Sequence, residues 1–241
     1  SPRVDKIAFT GSTEVGVGVQ QRAAATCKRV TLELGGKSPN IIFADADLKS
    51  AIRGALGGIF YNKGEVCAAG SRLLVQDEIY DEVCDLLAQK APAFTPGEPS
   101  SARMGPVVSK AQYDSVLDYI AKGKAEGATC IAGGGAHDIG TGKGFYVQPT
   151  VFRDVTMDMT IAKEEIFGPV LSVIRFRDEA DAVAIANATE FGLAAAVWTR
   201  DVGRALRVVR AVRAGTVWVN AYNLYDPSLP FGGFKSSGFG R

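Results

Sequence analysis

The sequence predicts an α/β chain built on a mostly parallel, twisted sheet with helices on both faces. Three observations predict it. Strand-like apolar runs alternate with segments of helical periodicity along nearly the whole chain. The longest apolar runs, such as Pro169 to Ile174, are strand-length. Clusters of Gly, Pro and Ser punctuate them, most densely over 92–107 and 133–144, which read as surface loops.

Each element follows in order. "VDKIAFTG" reads as a strand and turn, Thr13 to Ala25 as a helix, and Arg29 to Leu34 and Asn40 to Phe43 as strands. Pro39 lacks an N–H and can only stand at a strand's start. Asp47 caps a helix running to Asn62. Next come a strand over 72–76, helices Glu78 to Lys90 and Lys110 to Glu126, and strands Ala128 to Ile131, Tyr146 to Phe152 and Pro169 to Phe176. The pattern closes with helix Glu179 to Asn187, strand Leu193 to Thr199, helix Val202 to Val212, strand Thr216 to Asn220 and a turn-rich stretch from Asp226. A strand almost at the first residue and the packed-loop run "PFGGFKSSGFGR" at the last suggest a fragment.

With 241 residues, 46% of them hydrophobic, the chain can bury a full core. Its 27 basic and 26 acidic residues give a net charge of +1 with no basic block, which supplies no attraction to nucleic acid or a membrane surface. Neither a spanning run nor a signal peptide is evident, so a cytoplasmic location is expected. Four cysteines lack C-x-x-C spacing, and the single His137 cannot complete a Cys/His zinc set. No metal site is expected, and the thiols read as free in a reducing compartment. Cys84 and Cys130 fit core positions, whereas Cys67 stands among Ala68, Ala69 and Gly70, which should leave its sulfur uncrowded.

Two stretches carry the chemistry. In "LELGGKSPNIIF", Glu33 ends a strand with Leu32 and Leu34 facing the other way, and Gly35 and Gly36 allow close approach of a ligand or another segment. A carboxylate so placed can activate water. In "GEVCAAGSRLLV", Cys67 lies in a loop just before a strand, where α/β enzymes keep their reactive groups. "FTGSTEVG" places Gly11 and Ser12 ahead of a helix N-terminus, an anion site that is neither a P-loop nor G-x-G-x-x-G.

"LELGGKSP", "GEVCAAGSR", "EEIFGPVLSV" and "PFGGFKSSGFGR", in that order across nearly the whole chain, resemble the NAD(P)-dependent aldehyde dehydrogenase superfamily. The resemblance implies Cys67 as nucleophile and Glu33 as general base. It implies Gly11, Ser12, Leu34, Gly35, Glu165 and Phe167 as neighbours of NAD or NADP, with Glu165 on the nicotinamide ribose and Phe167 near the ring. Tyr222, Leu224 and Tyr225 fall where the family places part of its aldehyde tunnel. It also implies the end of a nucleotide-binding domain over 1–35, a catalytic domain over 36–235, and the start of an oligomerisation segment over 236–241, with a homo-oligomer in the full-length protein. The family's oxyanion-hole Asn and adenosine-ribose residues lie upstream of Ser1. Two rival readings use the same residues: a thiol hydrolase pairing Cys67 with His137, and a catalytically silent scaffold.

Overall fold

The computed structural model describes residues 1, 3–98, 100 and 102–240. In chain order the strands and α-helices are β1 (Lys6–Thr10), α1 (Thr13–Ala24), β2 (Arg29–Glu33), β3 (Pro39–Ile42), α2 (Leu48–Phe60), β4 (Arg72–Gln76), α3 (Tyr80–Lys90), α4 (Lys110–Ala125) and β5 (Thr129–Ala132). They continue as β6 (Thr150–Arg153), α5 (Thr160–Lys163), β7 (Val170–Phe176), α6 (Glu179–Asn187), β8 (Phe191–Gly192), β9 (Ala194–Trp198), α7 (Val202–Ala211), β10 (Thr216–Val219), β11 (Phe234–Lys235) and β12 (Gly238–Phe239).

The main sheet has seven strands in the order β10-β9-β3-β4-β7-β6-β5. Every neighbouring pair is parallel except the edge pair β5/β6. Side chains alternate between two cores, as a pleated strand requires. Ile41, Leu74 and Ile174 face a core closed by α4, α6 and α7, while Ile42, Leu73, Val75 and Val173 face one closed by α2 and α3. Helices on both faces explain why β3 and β9 are buried along their whole length.

A smaller three-stranded sheet, β1-β2-β12, carries the motif ends. β1 and β2 run parallel, and β12 runs antiparallel to β2 with Gly238 opposite Glu33. Ser12 caps α1 by accepting the Val15 N–H at 3.4 Å.

The structure corrects some boundaries. The strand expected over 146–152 begins only at Thr150, because Pro149 cannot donate to a ladder; Val147 instead makes an isolated bridge to Ala136 across the Gly-rich loop. The helix expected to reach Asn62 ends at Phe60, since Asn62 and Lys63 adopt left-handed backbone (φ 47° and 59°). The short α5 and the two-residue strands β8, β11 and β12 escaped the sequence, having too few residues to show a period.

Candidate active site

The site is assembled around Gly35 and Gly36, in the bend between the two sheets. β2 delivers Glu33 at its end, with Leu32 and Leu34 buried. The Gly11 N–H donates to the Glu33 carbonyl at 3.1 Å, which sets Gly11 and Ser12 beside the same strand end. Ser12 is occupied as a helix cap, and the Leu34 side chain packs beneath α1 at Gly16. Ser237, fully buried, donates its hydroxyl to the Gly35 carbonyl at 2.6 Å and accepts the Gly192 N–H at 3.0 Å. That clamp fixes the bend.

Two loops close on the bend. The Gly36 N–H donates to Glu165 Oε1 at 3.0 Å, and a Cβ added at Gly35 would lie 2.2 Å from Glu165 Oε2. Burial raises the Glu165 carboxyl above its ordinary value, against the opposing pull of the Gly36 N–H and the Lys37 charge. Two residues on, Phe167 holds a left-handed backbone (φ 52°) with its ring 40% exposed. Gln112 on α4 secures this loop, its side-chain amide donating to the carbonyls of Ile166 (3.1 Å) and Phe167 (2.7 Å).

The second loop carries Cys67. Its carbonyl would lie 2.2 Å from a Cβ at Gly36, so the Cys67 loop rests directly on the bend. The expectation of an uncrowded sulfur is corrected: Cys67 is partly buried, and Cys27, in a turn after α1, is the exposed thiol. Burial pushes the Cys67 thiol above its ordinary value, and the Glu165 and Glu33 charges add to the rise. The N–H groups of Ala68 and of Cys67 itself act in the opposite direction. Glu65 ties the loop to the segment before α4, accepting the Val108 N–H at 2.9 Å and pairing with Lys63 at 3.0 Å.

Tyr222 secures the loop's far side. Its hydroxyl donates to the Ala68 carbonyl at 2.8 Å and its ring packs on Gly58, Gly70 and Trp218. Trp218 in turn donates to the Leu224 carbonyl at 2.7 Å and meets Tyr225 edge-on at 5.4 Å. Leu224 and Tyr225 are exposed. These three line a cavity of about 870 Å³ that also touches Val66, the residue before Cys67. His137 lies elsewhere, paired through its N–H to Tyr146 beside the edge strand β5, three strands from β4 in the sheet. The hydrolase reading thus has no histidine partner at Cys67.

Gly11, Glu33, Gly35 and Glu165 lie around one bend, with the Cys67 loop against Gly36 and Phe167 on the Glu165 loop. Sequence reasoning missed Ser237, Gln112 and Lys37. Ser237 stood in plain view within "KSSG", but nothing about Gln112 on a helix marks it as a loop clamp. Among the described residues no group of three or more His, Cys, Asp or Glu could hold a metal ion, and no helix is long and apolar enough to cross a membrane.

Gly36→Ala should destabilise the protein by about 3 kcal/mol, because the clash is with backbone, which cannot rotate away. Urea unfolding of the full-length protein checks this; an unchanged midpoint would mean that the Cys67 loop does not rest on the bend.

The chain matches the aldehyde dehydrogenase family over residues 1–241. It is 54% identical to a betaine aldehyde dehydrogenase of Sinorhizobium fredii, over all of this chain and 50% of that protein. An aldehyde dehydrogenase of Aspergillus niger is also 54% identical, over 99% of this chain and 48% of that protein. Among solved structures, betaine aldehyde dehydrogenase from Staphylococcus aureus in complex with NAD+ superposes with a TM-score of 0.97 at 40% identity, over all of this chain and 50% of that one. Indole-3-acetaldehyde dehydrogenase of P. syringae, in complex with NAD+ and IAA, gives 0.96 at 48% identity, over 99% and 49%. The chain thus spans about half the length of the curated relatives it matches, and it belongs to the aldehyde dehydrogenase family.

Proposed function

We propose that the full-length protein oxidises an aldehyde to a carboxylic acid with NAD+, using Cys67 as nucleophile and Glu33 as general base. The observation that carries the reading is the convergence of the Cys67 loop and the Glu165 loop on one bare Gly-Gly bend at the end of the Glu33 strand. The bend also suits a dinucleotide. Glu165 Oε2, beside Gly35, can accept hydrogen bonds from ribose hydroxyls, and Phe167, 40% exposed, can pack near a nicotinamide. Gly11, Ser12 and Leu34 border it from α1 and β2. NAD+ is preferred over NADP because the similar solved enzymes hold NAD+. When bound it accepts the hydride.

The chain's own groups do the rest. The Cys67 thiolate adds to the carbonyl carbon, forming a C–S bond and a thiohemiacetal oxyanion, to which the backbone N–H of Cys67 can donate. The oxyanion collapses as the carbon gives up its hydride, leaving a thioester. Glu33 then takes a proton from water, hydroxide attacks the acyl carbon, and the C–S bond breaks to release the acid and regenerate the thiolate. The substrate occupies the cavity beside Val66, walled by Tyr222, Leu224 and Tyr225.

The same reading divides the chain into the end of a nucleotide domain (1–35), a catalytic domain (36–235) and the start of an oligomerisation segment (236–241), in a cytoplasmic homo-oligomer. The test is aldehyde-dependent NADH formation by the full-length protein. The parent should show it, and Cys67→Ala should lose it by at least about 10³-fold; equal rates would overturn the reading.

A further inference from the structure

The 870 Å³ cavity beside Val66 has two guanidinium side chains on its wall, Arg53 from α2 and Arg103 from the loop ahead of α4. Among the described residues no Asp or Glu lines it. Among the described residues neither arginine makes an ion pair, and Arg103 is held instead over the Phe94 ring at 5.6 Å. Arg53, Phe94 and Arg103 also border a second cavity of about 750 Å³ beside α3, so they stand at the junction of the two spaces. The volume far exceeds what a short aldehyde fills, since pockets of about 300–1,000 Å³ hold drug-sized ligands. The space begins at Val66, the residue before Cys67, so a substrate that fills it lies along this wall.

We propose that Arg53 and Arg103 make the enzyme select aldehydes that carry a carboxylate at the far end and disfavour those that carry a quaternary ammonium. This rests on the aldehyde-oxidising reading and names its substrate class. A guanidinium offers planar paired donors that match a carboxylate, and nothing in the wall competes for them. The aromatic faces of Tyr61 and Tyr225 act in the opposite direction, because an exposed ring attracts a cation weakly. Two full positive charges on the same wall outweigh that attraction. Proximity in sequence to betaine aldehyde dehydrogenases does not settle the matter, because charge on one wall can differ while the Gly-Gly bend stays the same.

The experiment is steady-state kinetics of the full-length enzyme with three aldehydes of matched length: 5-oxopentanoate, pentanal and 4-(trimethylammonio)butanal. The expected order of kcat/KM is carboxylate, then neutral, then ammonium, with about tenfold or more between the first and last. Arg53→Met and Arg103→Met should each lower the ratio of kcat/KM for 5-oxopentanoate over pentanal by about tenfold, mainly through KM, while Arg53→Lys should retain part of it. Added salt should shrink the preference, since exposed charges are screened over about 10 Å at 0.1 M. A ratio unmoved by both methionine variants, or an ammonium aldehyde used as well as the carboxylate, would overturn the proposal while leaving aldehyde oxidation intact. Oxidation of none of the three would overturn both.

Discussion

Glu33→Gln in the full-length protein is expected to release about one equivalent of NADH per active site in a rapid burst and then turn over roughly 10²–10⁴-fold more slowly than the parent. The amide keeps the shape of the carboxyl group but cannot take the proton from water, so the acyl group stays on Cys67. Acylation itself should not suffer. The Glu33 charge is one of the forces that raise the Cys67 thiol, so neutralising it eases formation of the thiolate. A faster alkylation of Cys67 in the variant at fixed pH is the companion observation. Stopped-flow absorbance resolves the burst, and its disappearance would show that Glu33 is needed to ionise the thiol.

Lys37→Met should stabilise the protein by an amount on the order of 4 kcal/mol below neutral pH, with the gain shrinking as pH rises. Lys37 is 1% exposed and its Nζ has no hydrogen-bond partner among the described residues. Burial, with the Arg72 charge adding to it, lowers its pKa from 10.5 to about 7, and Glu165 and Glu164 only partly offset this. Arg72 keeps its own guanidinium by donating to the carbonyls of Lys37, Ile185 and Ala186, all within 2.9 Å, the last two at the end of α6. Lys37 has no such outlet. Because the unfolded chain binds the proton up to pH 10.5 and the folded chain releases it near 7, the penalty is fully present below 7 and fades between the two values. Denaturant unfolding of parent and variant across that range checks the sign; a gain that grows with pH would show that Lys37 is paired in the full-length protein.

How much of this was legible in the sequence depends on the range of the interaction. Glu33 was readable because strand alternation set Leu32 and Leu34 to the opposite face, and the buried leucines bear that out. The parallel core strands were readable because their apolar runs are short and continuous. Lys37 stands in the same motif as Glu33, yet its burial depends on Arg72 and α6, which no local pattern announces. The crowding of Cys67 was misread for a related reason. Small neighbours such as Ala68 and Gly70 do not leave a thiol open; they let Gly36 and Tyr222 pack against the loop that carries it.

The pairing of β12 with β2 has a consequence for the order in which the chain folds. Ser237 and Gly35, joined by a hydrogen bond, are 202 residues apart in sequence. Contacts that close so long a loop form late, because the entropy of closure must be met before the contact returns anything. During synthesis β1, α1 and β2 leave the ribosome well before β12, with one edge of β2 unpaired until residues near 238 emerge. The large sheet can form in that interval from contacts nearer in sequence. The bend that carries Glu33 and meets the Cys67 loop therefore acquires its Ser237 clamp only after the strands of the large sheet have been made, so a chain not yet extended to Ser237 holds Glu33 and Cys67 without that clamp.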